Sequence, residues 1–128
     1  MAITQTMCTS FKKEILEATH NFSASGGHTF KIALYTSSAT IGADTTVYVT
    51  AGEASGAVYV AGGFTLTNTG GSSGGTTGFS DFGDAYWTAS SITARGALIY
   101  NSSQSNKAVC VLNFGSDITS NPDFRIRF

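Results

Sequence analysis

Ionisable side chains are scarce in this sequence. Lys, Arg, Asp and Glu make up 12% of its 128 residues, about half the share usual in soluble domains. Seven basic and eight acidic residues leave a formal charge of -1, with no run of either sign. Nothing in that distribution would release counterions from nucleic acid or draw the chain to an anionic membrane. Long apolar runs are also missing, so neither a signal peptide nor a membrane span is expected, and synthesis in a cytoplasm is. The two cysteines, Cys8 and Cys110, lie far apart and match no metal-ligand spacing. They read as two buried thiols and not as a disulfide, with Cys110 packing in a strand as a small hydrophobe. The two histidines, His20 and His28, come without a Gly-x-Ser-x-Gly elbow or a metal-binding pair. They read as surface or helix-capping residues, and no catalytic residue, metal ligand or cofactor is expected. The glycine-rich segment Gly70 to Gly78 lacks the Lys-Ser or Lys-Thr of a phosphate cradle and reads as a flexible loop or hairpin tip.

Hydroxyls are abundant instead, with 18 Thr and 16 Ser. A surface built from these and from glycine suits pleated structure, and the shortage of Lys and Glu removes good material for solvent-facing helices. Such a low-charge exterior is weakly protected against association, which fits a chain partly covered by neighbours. The length fits one domain, residues 1–128, able to bury roughly two-thirds of the surface of its unfolded chain.

Met7, Phe11, Ile15, Ala18 and Phe22 recur at helical spacing, opposite Lys12, Lys13, Glu14 and Glu17. This predicts one amphipathic helix in residues 1–22, capped by Thr9 or Ser10 and stopped by Asn21 and the Ser-Ala-Ser-Gly-Gly that follows. Its apolar stripe must lie on a sheet or on another subunit. From residue 29 the period becomes two. Strands are expected at Thr29–Thr36, Val47–Thr50, Ala57–Ala61, Phe64–Thr67, Gly78–Asp81, Ala85–Thr88, Ile92–Tyr100, Ala108–Phe114 and Phe124–Phe128, the two Val-Tyr-Val runs pairing as antiparallel neighbours. Short strands between turns at this spacing predict an all-β fold, a β-sandwich or jelly-roll-like antiparallel domain over residues 29–128.

Asp81-Phe-Gly-Asp84 brings two carboxylates together but lacks the alternating oxygen ligands of a calcium loop, so both read as turn residues bonding their own backbone. The tyrosines and Trp87 read as core and cross-strand packing, because base stacking would come with a basic groove. Asn21-Phe-Ser and Asn101-Ser-Ser match the glycosylation sequon, to which a chain without a secretion signal gives little weight. In Ile92–Tyr100, alternation puts Arg95 on the face away from Ile92, Ala94, Gly96, Leu98 and Tyr100. In open solvent lysine would serve as well; a guanidinium is better suited to a fixed carboxylate, for which Asp81, Asp84 or Glu53 are the candidates, or to several backbone carbonyls. Gly96 lets another backbone or ring approach closely. Arg95 and Gly96 therefore read as a docking device, within or between subunits, and Phe11 and Ile15 as the docking face of the helix.

The segments Gly52–Leu66, Ala94–Asn101 and Lys107–Gly115, with Trp87, the opening Thr4–Glu14 and Thr29–Thr36, together resemble a family of small structural proteins from tailed bacteriophages. The resemblance covers nearly the whole chain. It implies a virion protein assembled in the host cytoplasm and no catalytic residues. A capsid decoration or cement protein is the first expectation, a homo-oligomer docked on the major capsid protein or other virion proteins, with no nucleic acid or membrane partner. A tail or fibre component that binds a host receptor or glycan is the alternative.

Overall fold

A computed structural model describes residues 2–128. The protein is an all-β antiparallel domain with one N-terminal helix. Its elements are β1 (Thr6–Met7), α1 (Thr9–Leu16), β2 (Phe30–Tyr35), β3 (Phe64–Thr65), β4 (Asn68–Gly74), β5 (Thr77–Phe82), β6 (Ala85–Trp87), β7 (Thr93–Asn101), β8 (Lys107–Thr119) and β9 (Phe124–Ile126). Five strands form the central sheet, in the order β1-β8-β7-β2-β3, while β4-β5 and β6-β9 are two-stranded ribbons.

The central sheet is buried on both faces, so that Ala33 and Tyr35 of β2 and Ala97 and Ile99 of β7 are buried along with the alternate set, where a period of two predicts one covered face. Ile32 pairs with Ile99 and Leu34 with Ala97, while Ala33 pairs with Leu98 between them, and all six are buried. Aromatic rings cover one face. Phe22 stacks on Phe30 with centroids 4.4 Å apart, and Trp87 of β6 meets both Phe64 of β3 and Phe124 of β9. On the other face lies an irregular layer from residues 36–50, in which Tyr48 stacks on Tyr100 at 4.9 Å and the Tyr35 hydroxyl donates to the Val49 carbonyl. The layering is thus a sheet between a ribbon-and-helix layer and a loop layer.

Several elements differ from their sequence readings, each for a local reason. The helix spans eight residues, starting after Cys8 and not after Thr9 or Ser10, and Cys8 offers no side-chain cap. It ends well before Asn21, because Ala18 turns into the left-handed region with φ 58° and sends His20 into the core. Met7 therefore belongs to β1 and Phe22 to the following loop. The helix packs on the sheet at β8 through buried Phe11, while Ile15 stays largely exposed.

The two Val-Tyr-Val runs do not pair with each other. Val47 bridges to Lys107 at the start of β8 instead, and Val58, at φ 75°, lies in a turn. Of the loop and hairpin-tip readings of the glycine-rich segment the hairpin holds, with Asn68 to Phe82 paired across a bulge near its base, and β8 runs on to Thr119, beyond the expected Phe114. Both cysteines are free, Cys8 fully buried and Cys110 partly so.

Candidate functional site

Three polar clusters and one apolar groove are the candidates for a functional site. The first surrounds Glu53, next to β2, where Tyr35 and Glu53 form an antiparallel bridge. Its carboxylate accepts hydrogen bonds from the Tyr48 and Tyr59 hydroxyls, each at 2.5 Å, and from the Gly62 amide at 2.8 Å. The Tyr100 hydroxyl donates to the Gly62 carbonyl at 2.6 Å, and the Tyr59 oxygen accepts the Leu34 amide. One half-buried charge thus ties residues 48–62 to the sheet, through charge-assisted bonds that are stronger than neutral ones. Burial pushes the Tyr100 phenol up to about 12, with the Glu53 charge as the lesser cause. Tyr35, Tyr48 and Tyr59 are raised further, again by burial first.

The second cluster joins α1, the loop after it and the end of β7. Asn101, fully buried, places its side-chain nitrogen 2.9 Å from Nδ1 of both His20 and His28, and its Oδ1 accepts the Ser103 amide. His20 Nε2 reaches Glu14 Oε1 at 2.8 Å. Since Asn101 donates with both hydrogens, each imidazole must accept at Nδ1, which places the ring proton of His20 on the nitrogen facing Glu14. His20 is therefore a core residue and not the surface or capping residue its sequence position suggested. No hydroxyl or thiol is hydrogen-bonded to either imidazole among the described residues. The burial of Asn101 also removes its sequon from the surface.

The third cluster holds Arg95 and Gly96. Arg95 does not meet any of the three expected carboxylates. Glu53 is occupied as above; Asp81, in strand β5 and not in a turn, accepts the Phe82 amide, and Asp84 accepts the amide of distant Phe128 and not one of its own turn. The one side-chain hydrogen bond of Arg95 among the described residues is Nε to Asn113 Oδ1 at 3.4 Å, longer than a well-formed bond. Arg95 sits where β7 and β8 lose register, since Ala94 pairs with Ile118 but Gly96 with Asn113, leaving residues 114–117 bulged outward. Gly96 meets the expected close approach inside the subunit. A Cβ there would lie 2.5 Å from the Leu112 carbonyl and 2.8 Å from Ile3 Cγ2.

The fourth cluster is an apolar groove of about 750 Å³ between α1 and the β4-β5 hairpin, lined by Met7, Phe11, Ile15, Phe22, Phe79 and Val109 among others. It brings Phe11 and Ile15 together, Phe11 at its floor and Ile15 at its rim, but places both away from Arg95, which lines a different pocket. The hairpin itself is exposed at every residue from 71 to 80, with Phe79 53% accessible. No group of three or more His, Cys, Asp or Glu side chains able to hold a metal occurs among the described residues. No helix described is long and apolar enough to cross a membrane.

Sequence reasoning missed the Glu53 node and the His20–Asn101 clasp. The first left a signal, since Glu53 lies midway between two Val-Tyr-Val runs whose tyrosines both bond to it. The second left only a buried-strand pattern ending on asparagine. Comparison with protein-family models, curated proteins and solved structures returns no match.

Proposed function

We propose that this chain is a structural protein of a tailed-bacteriophage virion, a capsid decoration or cement protein that docks on the shell and stabilises it. The observation that carries the reading is the β4-β5 arm, with residues 71–80 all exposed. An isolated two-stranded ribbon is marginal in water, and this one is rich in Gly and Ser and presents Phe79 at the rim of an apolar groove. A ribbon of that kind gains order by lying against a neighbour, and contiguous exposed apolar surface marks an interaction site. The well-bonded polar clusters support the same reading. Glu53 and Asn101 spend their hydrogen-bonding capacity on their own chain, which makes a rigid body to be assembled. The phage resemblance of the sequence supplies the kind of assembly.

Quantitative mass spectrometry of purified particles tests the proposal. Copy numbers comparable to those of the major shell protein are expected. A few copies per particle would instead favour a tail or fibre component and reject the decoration role.

A further inference from the structure

We propose that the pocket at Arg95 receives the carboxylate of Asp44 from a second copy of this chain, the contact being made twice about a two-fold axis. The inference rests on the reading of the protein as a self-assembling coat component and names the contact that joins two copies.

Arg95, half-buried, lines a pocket of about 320 Å³ together with Ala2, Ile3, Ser37 and Asn113. Asn113 is immobilised, its amide donating to Gln5 Oε1 at 3.0 Å, its Nδ2 to the Ile3 carbonyl at 2.9 Å, and its Oδ1 accepting the Gly115 amide at 2.8 Å. That fixed oxygen takes only Nε of Arg95, at 3.4 Å. A guanidinium carries five N–H donors and no acceptor. The Nη1 and Nη2 edge has no partner among the described residues and so presents the paired donors that fit a carboxylate. Gly96 keeps the pocket in shape, because it makes room for Ile3 in the wall.

The acceptor is argued from the same face. Asp44 is exposed and has no hydrogen-bond or ionic partner among the described residues. It lines a shallow groove that shares Ala2 with the Arg95 pocket. Arginine and aspartate thus line adjoining hollows that meet at Ala2, the arrangement an isologous contact would use, where residue i meets j and j meets i. Asp117 is similarly unpaired but lines neither pocket, which makes it the control.

Sedimentation equilibrium of the full chain tests the inference, with wild type compared against Arg95→Lys, Asp44→Asn and Asp117→Asn. Wild type is expected to dimerise, more weakly as salt is raised. Arg95→Lys and Asp44→Asn should each weaken the dimer by about tenfold or more, the loss of one charge-assisted contact on each side. Their combination should be no worse than either alone, and the swapped pair Arg95→Asp with Asp44→Arg should regain association. Asp117→Asn should behave as wild type. A wild type that stays monomeric, an Asp44→Asn dimer as tight as wild type, or an Asp117→Asn dimer as weak as Asp44→Asn overturns the inference. Because Asp44 is exposed, its variant tests the contact without endangering the fold. Copy number in the particle is a separate readout, so a decoration protein that docks as a monomer would fail this test and pass that one.

Discussion

Single residues in this protein are held by what they touch on their own chain, and the consequences can be measured one at a time. Asn101 sends two hydrogens to His20 and His28 from a site with no solvent access. Asn101→Ala leaves both imidazole nitrogens and the Ser103 amide without that partner and should cost about 3 kcal/mol in urea unfolding. A cost under about 1 kcal/mol would mean that the clasp is not what joins the helix to β7. Gly96→Ala should cost about 2 kcal/mol, since either Ile3 or the β8 backbone must move to admit the methyl group. Alkaline pH probes the buried thiols and phenols together. Burial pushes Cys8 up to about 11 and Cys110 to about 12, with the neighbouring Glu14 and Cys8 respectively as lesser causes, and Tyr100 to about 12. Each folded value lies above that of the unfolded chain, so the unfolded state loses its protons first. Stability is then flat below about pH 8.5 and falls as pH rises from about 9 toward 12. Urea midpoints recorded between pH 7 and 11 check this, and a midpoint unchanged at pH 11 contradicts the burial of these groups.

The elements show how far the sequence reaches. β2, β7 and the first half of β8 were legible because the alternate apolar residues Phe30, Ile32 and Leu34 and Ala94, Leu98 and Tyr100 all pack in one sheet. Helical spacing from Met7 to Phe22 was misleading. Of its apolar positions only Phe11, from the helix, and Phe22, from a loop, reach the core, while Met7 lies exposed in a strand and Ile15 exposed on the helix. The Val-Tyr-Val runs failed for another reason: Glu53 binds both tyrosine hydroxyls, and satisfying a partly buried carboxylate outweighs the ladder that either run would make. At the candidate site, the close approach at Gly96 could be read from an unexpected glycine in a strand. The partner of Arg95 could not, because Asn113 reaches it only through a bulge. The β4-β5 arm carries its own prediction. Its amides should exchange fastest among the hairpin and sheet elements in the free protein. Replacing residues 71–80 with a two-residue Asn-Gly turn, which keeps Gly70 opposite Asp81, should change the stability of the body by less than about 0.5 kcal/mol, while incorporation into particles is lost. Full incorporation of the shortened protein would remove the arm from the docking account.

At the scale of the whole molecule, a sheet covered on both faces, a low-charge hydroxyl-rich exterior and one exposed arm are the features on which the proposal of a part fitted against neighbours rests. Binding to neighbours adds stability by mass action, so the free protein should melt below the temperature at which it leaves the particle. The most direct measurement of the proposed role is a cryo-electron microscopy reconstruction of the phage particle produced with this protein. The account predicts density for the five-stranded sheet repeated over the shell lattice, with the β4-β5 arm lying on an adjoining subunit. Density confined to the tail, or no density on the particle at all, would contradict it.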